Sequence, residues 1–424
     1  MTELSAEQQA VFERIETTME NVFVTGRAGT GKSTLLAHLA AHTSKRLVVT
    51  APTGVAALNV GGQTIHSLFR LPIGVIADDA IVQYGETKRL LTSIETLVID
   101  EVSMVNADLL DAVDRSLRQA RGRADPFGGV QLVLFGDPFQ LAPVPGDGEE
   151  RAYFADRYRS MWFFDARVWD EAALTIFELS TVHRQAEPEF RWMLNAVRFG
   201  RVTAEIADAL NAAGARPAPD DAITLATTNA TVSRINASRL ARLPGRALTA
   251  RAEIEGDFGG RGYPADESLE LKKGAQVMFL RNDPDQRWVN GSIGTITRID
   301  TTVWVELDGE QHEVHPSTWE RYRYSYNPAT KQLSKDVVAE FTQFPLRLAW
   351  AVTIHKSQGK SYDRAFIDLG QRTFAPGQTY VALSRLTALE GLHLSRPLRP
   401  SDIIVDADVV RFMSRVEAIP GVRA

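Results

Sequence analysis

A glycine-rich segment near the beginning of the chain has the spacing of a phosphate-binding loop. Gly26 is followed by four residues and then by Gly31, Lys32 and Ser33. In such a loop the glycines let backbone N–H groups face the phosphates, the lysine reaches the β and γ phosphates, and the serine hydroxyl binds magnesium. The segment follows a predicted strand and opens a predicted helix, which is the context that this loop requires. The sequence therefore predicts a site for ATP and Mg²⁺, with Ser33 as a metal ligand.

Two more predicted strands end in residues that could complete this chemistry. The run TLVIDE ends in Asp100 and Glu101. Asp100 can hold magnesium, and Glu101 can orient and deprotonate the attacking water. The run LVLFGD is followed by Gln140, whose amide can donate and accept hydrogen bonds and so sense the γ-phosphate or position water. Alone, each could be an ordinary polar strand end or turn, but the phosphate-binding loop upstream favours the catalytic interpretation.

The triplet Gly-Lys-Ser occurs a second time, at residues 359–361. A second phosphate-binding loop would need a glycine five residues before Gly359. Ile354 stands there, and a β-branched residue lacks the backbone freedom of glycine. This triplet is therefore not a second ATP site. Lys356, just before it, could instead neutralise a nucleic-acid phosphate, although a solvated basic loop would look the same.

A second group of polar residues lies just past predicted strand ends, where ligands bind in open α/β sheets. Small hydroxyls and backbone N–H groups there suit phosphate contacts that carry no sequence information. His66 could stack on a base or satisfy a loop carbonyl, and Asn290 is either a strand contact or an ordinary hairpin residue. The predicted DNA-binding residues are Thr53, Gly54, Thr64, His66, Asn290, His355, Lys356 and Ser357.

Strand and helix patterns alternate in the first part of the chain. Short, β-branched apolar runs such as NVFVT (21–25) and RLVVT (46–50) close on polar or turn residues, and helical patterns separate them. This alternation predicts a parallel, doubly wound sheet. Residues 66–90 are less regular and are expected to form a small insert, and residues 143–158 are predicted to be a polar loop.

The pattern changes twice in the second half of the chain. A new strand–helix unit begins at residue 222, short runs with turn signals extend from about 250 to 345, and the α/β pattern then resumes. The middle stretch is typical of a small antiparallel barrel. We therefore predict a first α/β domain, a second α/β domain in two segments and a β-barrel inserted between them. The predicted bounds are 1–180 for the first domain, 181–250 and 346–424 for the second, and 251–345 for the barrel.

Composition narrows the class of protein. The chain has 424 residues, of which 44% are apolar and 24% charged, values typical of a soluble globular protein. It has no cysteine, which excludes disulfides, thiolate chemistry and zinc fingers, and no apolar run long enough to span a bilayer. The net charge of −6 gives no support to non-specific coating of nucleic acid, but residues 345–396 are locally basic. We expect a cytoplasmic protein without membrane association, and of bacterial origin because its basic residues are mostly arginine.

The first residues allow two interpretations. Ser5 and Gln8 have the spacing of a capping box, in which Ser5 caps a helix and Gln8 reaches back to the backbone of Ser5. Alternatively, Gln8 reads the edge of an adenine base. From the residues alone, the cap is the favoured interpretation.

In their order along the chain, these segments resemble the motifs of the Pif family of DNA helicases, in the branch of superfamily one that moves 5′ to 3′. The resemblance covers nearly the whole chain, and a set of motifs in the family's order is highly specific. Ala142 departs from the proline that the family often has, which puts nothing in doubt. The matching segments are LSAEQ, APTGVAALNVGGQTIHSLF (51–69), DPFGGVQLVLFGDPFQLAPV (125–144), TVHRQ, HKSQGKS and GQTYVALSRLTALEGL (377–392).

The resemblance implies two RecA-like domains with ATP bound between them, a wedge insert in the first and an SH3-like barrel in the second. It also implies that Gln8 reads adenine and that Arg184 and Arg385 are arginine fingers, which raise the rate of phosphoryl transfer by about 10³–10⁵. The implied catalytic residues are Lys32, Asp100, Glu101, Gln140, Arg184 and Arg385. The implied nucleotide-binding residues are Gln8, Gly26, Ala28, Gly29, Thr30, Gly31, Lys32, Ser33, Thr34, Gly359 and Lys360.

The implied activity is ATP-driven movement along single-stranded DNA and the unwinding of tailed or forked duplex DNA. We expect a monomer associated with the nucleoid, and roles in DNA replication, repair, recombination and telomere maintenance. Two alternatives stay open: a DNA-stimulated ATPase that remodels without unwinding, and a RecD-like subunit of a recombination complex. The second would need partner surfaces and often an additional N-terminal domain, and we expect no such domain because the first motif begins at residue 4.

Overall fold

The computed structural model describes residues 4–417 apart from 73, 77–80, 82–83, 144–147, 183, 186, 257–262 and 328–331. The strands are β1 (Val22–Gly26), β2 (Leu47–Ala51), β3 (Gln63–Thr64), β4 (Thr96–Ile99), β5 (Gln131–Phe135), β6 (Thr175–Leu179), β7 (Ile223–Ala226), β8 (Leu248–Arg251), β9 (Glu253–Gly256), β10 (Ser268–Leu271), β11 (Gln276–Phe279), β12 (Ile293–Ile299), β13 (Val303–Leu307), β14 (Glu310–Val314), β15 (Ser317–Asn327), β16 (Gln332–Gln343), β17 (Leu346–Leu348), β18 (Ala351–Thr353), β19 (Ala365–Asp368) and β20 (Leu392–Leu394). The helices are α1 (Ala6–Thr17), α2 (Lys32–His42), α3 (Gly54–Asn59), α4 (Ile65–Phe69), α5 (Gly85–Ser93), α6 (Ala107–Arg121), α7 (Gly148–Arg157), α8 (Val168–Glu171), α9 (Pro188–Arg198), α10 (Ala204–Gly214), α11 (Asn229–Arg242), α12 (Gln378–Leu383) and α13 (Ala407–Glu417).

A parallel sheet in the order β3-β2-β4-β5-β1-β6 forms the centre of the first domain. Strands β1, β4 and β5 are buried along their whole length, as expected when helices cover both faces of a sheet. The phosphate-binding loop follows β1, Asp100 follows β4 and Gly136 follows β5. Because the strands are parallel, these three segments lie along one edge, the carboxyl edge, of the sheet.

A second parallel sheet, in the order β18-β7-β19-β20, forms the centre of the second domain. Its strands come from both sides of the antiparallel region, since β7 precedes that region and the other three strands follow it. Two parallel sheets with an antiparallel insert confirm the predicted fold class.

Antiparallel strands β8 to β17 follow α11 and lie between β7 and β18 in the chain. They form a sheet in the order β14-β13-β12-β11-β17, a sheet in the order β15-β16-β9, and the pair β10-β8. The pairing of β11 with β17 carries this region to Leu348, three residues beyond its expected end at 345, and β8 starts at Leu248. The predicted domain bounds stay a prediction.

The polar loop predicted at 143–158 was wrong in its second part, because α7 forms there. Phe154 is buried, and the hydroxyl of Tyr153 donates a hydrogen bond to the carboxylate of Asp108 at 3.0 Å. These tertiary contacts stabilise a helix in a segment whose Gly, Pro and charged residues suggested a loop. The small insert expected at 66–90 contains most of α4 and the first part of α5, and its middle includes residues outside the described ones.

The last described helix, α13, returns to the first domain. The ring of Phe412 stacks on Phe164 with centroids 4.3 Å apart, and the indole of Trp162 donates to the carboxylate of Asp406 at 3.0 Å. The two domains are therefore joined by packing at the end of the chain as well as by their covalent connection. None of the helices that the structure describes is long and apolar enough to cross a membrane.

Candidate functional site

The phosphate-binding loop passes from β1 into α2 with the backbone that its glycines permit. Gly26, Gly29 and Gly31 have φ angles of 143°, 83° and 79°, values that residues with a Cβ rarely adopt. A Cβ on Gly29 would lie 2.5 Å from the Cβ of Arg184, so this glycine also allows that arginine to approach the loop. The amine of Lys32 donates to two backbone carbonyls of the loop, at 2.6 and 3.0 Å. The loop thus holds its lysine at the place where phosphates would bind.

Asp100 and Glu101 follow β4 and face the same loop. Burial, and secondly the charge of Glu101, raise the pKa of Asp100 to about 7. Burial also raises the pKa of Glu101, against the opposing effects of Lys32 and Arg385. Glu101 has a φ of 50°, a left-handed conformation that costs a non-glycine residue about 1–3 kcal/mol and that concentrates at functional sites. Two adjacent carboxylates with raised pKa values, one of them on a strained backbone, are candidates for a metal ligand and a general base.

A cavity of about 770 Å³ lies beside this loop, between the two domains. Its volume is in the range of small-molecule sites, and its wall contains groups from both domains. Asp100 adjoins the wall residue Glu101 in sequence and Gly26 lies two residues before the wall residue Ala28, whereas Lys360 is not part of the wall. The predicted nucleotide-binding or catalytic residues that line the cavity are Gln8, Ala28, Gly29, Thr30, Gly31, Lys32, Ser33, Thr34, Glu101, Gln140, Arg184, Gly359 and Arg385.

The two arginines that the resemblance assigns as fingers meet at the turn 355–360 after β18. Arg184 donates to the carbonyl oxygen of Gly359 at 3.4 Å, and Arg385 donates to two other backbone carbonyls of the same turn, both at 3.3 Å. Burial, and secondly the charge of Arg385, lower the pKa of Arg184 to about 9. Burial also lowers the pKa of Arg385. Two crowded guanidinium groups at the wall of a cavity favour an anionic ligand there.

Gln8 is engaged at both ends of its amide. Its Oε1 accepts from the N–H of Ser5 at 2.9 Å, and the Ser5 hydroxyl accepts from the N–H of Gln8 at 3.3 Å, so the predicted capping box is present. Its Nε2 donates to the carbonyl of Gly31 at 3.0 Å. An amide carries two donor hydrogens and two acceptor lone pairs, so one of each stays available for an adenine edge. The reading of adenine by Gln8 stays a prediction.

Two residues of the turn 355–360 do not face the ligands predicted for them. Ser357 is fully buried, and its hydroxyl donates to a backbone carbonyl three residues earlier at 2.7 Å, so it does not point toward DNA. The amine of Lys360 lies 3.0 Å from the sulfur of Met278 on β11, on the side of the barrel insert. The reason is local, because Gly359 adopts a φ of 76° and the chain reverses there. With Gly359 at the cavity wall, the Lys360 side chain leaves on the opposite side.

The residues predicted to bind DNA in the first domain include two helix caps. The hydroxyls of Thr53 and Thr64 accept from backbone N–H groups of α3 and α4, each at 3.2 Å. Gly54 is the first residue of α3. Burial lowers the pKa of His66 in α4, which favours its neutral form. His66 is thus suited to stacking or hydrogen bonding rather than to neutralising a phosphate.

A basic junction lies between the turn 355–360 and the barrel insert. Lys356 is exposed, and burial lowers the pKa of the adjacent His355. Burial, then the charges of Arg347 and Lys356, lower the pKa of Lys360 to about 7. Near them, the Oδ1 atom of Asn290 is buried without a hydrogen-bond partner within the described part of the chain. Positive groups and an unused amide oxygen therefore meet at this junction.

Sequence reasoning missed three residues that connect the two domains next to the phosphate-binding loop, namely Asp137, Arg198 and Tyr380. Asp137 follows β5, has no accessible surface, and accepts from Arg198 at 3.0 Å and from the hydroxyl of Tyr380 at 3.2 Å. One signal was present, because Arg198 follows the apolar positions Leu194 and Val197 on the buried face of α9. A charged residue beside such a face requires a buried partner of opposite charge.

The loop, the carboxylate pair and the arginines converge on one cavity from two parallel sheets. Lys32, Glu101 and Gln140 line the cavity from the first domain, and Arg184 and Arg385 also line it. This arrangement defines a two-domain P-loop NTPase, in which nucleotide binding depends on the position of both domains.

Comparison with known proteins places the chain within a particular family of this class. The family model of PIF1-like helicase matches residues 3–207. The ATP-dependent DNA helicase Pif1 of Bdellovibrio bacteriovorus is 35% identical over 98% of this chain and 93% of that protein. Human ATP-dependent DNA helicase PIF1 is 36% identical over 92% of this chain, which spans 60% of the human protein. The chain belongs to the Pif1 helicase family, which confirms the resemblance in its motifs.

Solved structures give the same result. Pif1 of Bacteroides sp in complex with ADP-AlF4 has a TM-score of 0.92 and 37% identity, over 99% of this chain and 98% of that one. Bacteroides Pif1 bound to ssDNA has a TM-score of 0.71 and 38% identity, with the same coverage. The whole fold is thus shared with Pif1 helicases.

Proposed function

We propose that the chain is an ATP-dependent DNA helicase that moves 5′ to 3′ along single-stranded DNA and unwinds duplex DNA. One observation carries the proposal. The turn 355–360 holds both arginines at the nucleotide cavity through its backbone carbonyls and presents the exposed Lys356 at the basic junction. Nucleotide chemistry and nucleic-acid binding therefore share one short segment. The 35% identity to a Pif1 helicase over nearly the whole chain supports the activity, and the ssDNA-bound Bacteroides Pif1 supports the substrate.

The cleft residues have complementary roles in ATP hydrolysis. Lys32 neutralises the β and γ phosphates, and Glu101 orients the attacking water and accepts its proton. Gln140 positions that water or senses the γ-phosphate, and its Oε1 accepts a hydrogen bond at 3.2 Å from Gln358 of the other domain. Arg385 stabilises the charge that develops on the transferred phosphoryl group. Closure of the cleft therefore completes the catalytic set.

The donor set at the carboxyl edge fits magnesium. The hydroxyl of Ser33 and the carboxylate of Asp100 are the hard oxygen ligands that Mg²⁺ prefers. The raised pKa of Asp100 identifies a carboxylate whose anionic form would be stabilised by a nearby cation. When bound, the metal would neutralise charge on the phosphates.

DNA binding and hydrolysis are coupled through the turn in this proposal. A strand that contacts Lys356 shifts the backbone carbonyls that hold Arg385, and so moves a catalytic group at the nucleotide. Contacts to phosphates give affinity with little sequence preference. The 5′-to-3′ direction rests on family membership alone.

Strand separation on tailed duplexes tests this function. The protein should unwind a duplex with a 5′ single-stranded tail in the presence of ATP and Mg²⁺, and should leave a duplex with a 3′ tail paired. Unwinding from the 3′ tail alone would refute the direction. ATPase activity that is stimulated by single-stranded DNA without any strand separation would favour a remodelling ATPase instead of a helicase. Unwinding only within a larger complex would favour a RecD-like subunit.

Lys356→Ala should weaken the binding of single-stranded DNA by about tenfold at low salt, because one phosphate contact is lost. The Kd for ATP should change by less than about twofold, since Lys356 is exposed on the side of the turn away from the cavity. Fluorescence anisotropy with labelled oligonucleotide and nucleotide measures both constants, and the salt dependence of DNA binding should become less steep. Equal losses of affinity for single-stranded DNA and for ATP would contradict the proposal that Lys356 contacts DNA and not the nucleotide.

We assign Lys360 to the DNA side rather than to the nucleotide, and this gives a pH dependence. Its pKa of about 7 lies close to neutrality, because burial and then the charges of Arg347 and Lys356 lower it. Burial also lowers the pKa of His355, which favours the neutral imidazole over this pH range. A phosphate binds the protonated amine, so affinity for single-stranded DNA should fall about tenfold between pH 6.5 and 8.5. Lys360→Met should remove most of that change, whereas an unchanged pH profile in the variant would exclude Lys360.

Use of forked duplexes is supported by the family, while action as a monomer and location in the bacterial cytoplasm near the nucleoid stay predictions. Sedimentation with and without a tailed duplex would measure the oligomeric state directly.

A further inference from the structure

The hydroxyl of Tyr380 joins two parts of the first domain from its place in the second. It accepts a hydrogen bond from the backbone N–H of Ala28 in the phosphate-binding loop, at 3.2 Å. It donates to the Oδ2 atom of Asp137, also at 3.2 Å. Tyr380 lies in the middle of the short helix α12 and is 4% exposed. One hydroxyl therefore contacts both the nucleotide loop and the segment that leads to Gln140.

Asp137 is held rigidly on its other side. Its Oδ1 atom accepts from Arg198 at 3.0 Å and from the N–H of Phe139 at 3.1 Å. The guanidinium of Arg198 also donates to Glu178 on β6 at 3.4 Å and lies 4.4 Å from the centre of the Phe139 ring. Because these groups are almost fully enclosed, the carboxylate cannot exchange its partners for water. The carboxylate of Asp137 is thus held in one position, where it accepts the hydrogen bond from the hydroxyl of Tyr380.

The backbone at the start of α12 also lies close to the first domain, as the side chain of Tyr380 does. A Cβ on Gly377, the residue before this helix, would lie 2.5 Å from the carbonyl oxygen of Gln140 and 2.6 Å from that of Phe139. Burial, and secondly the charge of Asp137, raise the pKa of Tyr380, so its hydroxyl keeps the proton that it donates. Arg385 lies five residues after Tyr380. A movement of α12 would therefore change its contacts with the loop and with Asp137, and would shift Arg385 at the same time.

We propose that Tyr380 is a positioning residue that links the shape of the phosphate-binding loop to the docking of the second domain. The inference rests on the proposed function, because it concerns the coupling of ATP and DNA in that cleft. When the second domain is docked, the hydroxyl holds the Ala28 N–H and so fixes the loop. When the domain moves, both hydrogen bonds are lost at once. By linkage, a nucleotide that organises the loop favours the docked position, and with it the relative placement of the DNA contacts on the two domains.

Tyr380→Phe removes only this hydroxyl, and the chain offers a matched control. Tyr362 is also buried in the second domain, and its hydroxyl has no hydrogen-bond partner among the described residues. Tyr362→Phe is therefore the same chemical change without the loss of a contact. The measurement is the ratio of the Kd for single-stranded DNA without and with a non-hydrolysable ATP analogue and Mg²⁺. Thermal unfolding of both variants ensures that the comparison is made on folded protein.

In Tyr380→Phe, the ratio of the two DNA Kd values should be about fivefold closer to one than in the wild type. In Tyr362→Phe, the ratio should equal that of the wild type. The stimulation of ATP hydrolysis by single-stranded DNA should fall in parallel. A wild-type ratio in Tyr380→Phe would overturn the inference, and so would an equal loss in both variants, since that would point to general packing. A wild-type protein that neither hydrolyses ATP nor binds DNA would instead overturn the proposed function.

Discussion

Arg385→Ala should lower the kcat of DNA-stimulated ATP hydrolysis by about 10³-fold or more, the effect expected when an arginine finger is removed. The guanidinium of Arg385 lies at the wall of the cavity that contains Lys32 and Glu101. In the proposed finger role its charge acts on the phosphoryl group as that group transfers, so the loss should appear in kcat, while the KM for ATP changes by less than about tenfold. A steady-state assay with saturating single-stranded DNA measures both constants.

The surroundings of Arg385 explain why lysine should not replace it. The guanidinium donates to backbone carbonyls of residues 357, 360 and 381 and to the hydroxyl of Ser384. A lysine amine is a single point charge that cannot reproduce this planar set of donors. Arg385→Lys should therefore also lose most of the activity. Arg364, which pairs with Asp221 and is 53% exposed, provides a control whose replacement by alanine should leave kcat within about twofold. A kcat of Arg385→Ala within tenfold of the wild type would exclude the finger role.

The predictable parts of the site were those encoded in local sequence. The phosphate-binding loop needs glycines at defined positions, and Gly26, Gly29 and Gly31 indeed have positive φ angles. Asp100 and Gln140 could be located because a short apolar strand ends just before each segment, and parallel strands bring such ends to one edge of a sheet. Spacing and strand order were sufficient for these residues.

The direction of a side chain in a tight turn could not be predicted in the same way. Ser357 and Lys360 lie within three residues of each other, yet one is buried against the turn and the other faces the barrel insert. Their positions in the sequence place Ser357 and Lys360 near the predicted DNA and nucleotide. The reversal of the chain at Gly359 determines the direction in which each side chain points. The contact of Lys360 with Met278 joins residues 82 positions apart, and no local pattern contains that information.

The buried ion pair between Arg198 and Asp137 should have the largest effect on stability. Neither side chain has accessible surface, so Arg198→Met leaves a buried carboxylate without its cation. Breaking such a pair costs about 3–5 kcal/mol in the free energy of unfolding. Urea denaturation followed by circular dichroism measures the change. Arg14→Met, which breaks an exposed pair with Glu20, should cost less than about 1 kcal/mol.

A double variant separates charge from packing at this position. Asp137→Asn removes the unpaired charge and loses only one of the two carboxylate acceptors, so adding it to Arg198→Met should recover part of the lost stability. No recovery would mean that the arginine stabilises the protein through its packing on Phe139 rather than through its charge. A buried pair of this kind need not increase stability relative to apolar residues. In the proposed coupling, Arg198 holds the Oδ1 atom of Asp137 so that the Oδ2 atom is placed to receive the hydroxyl of Tyr380.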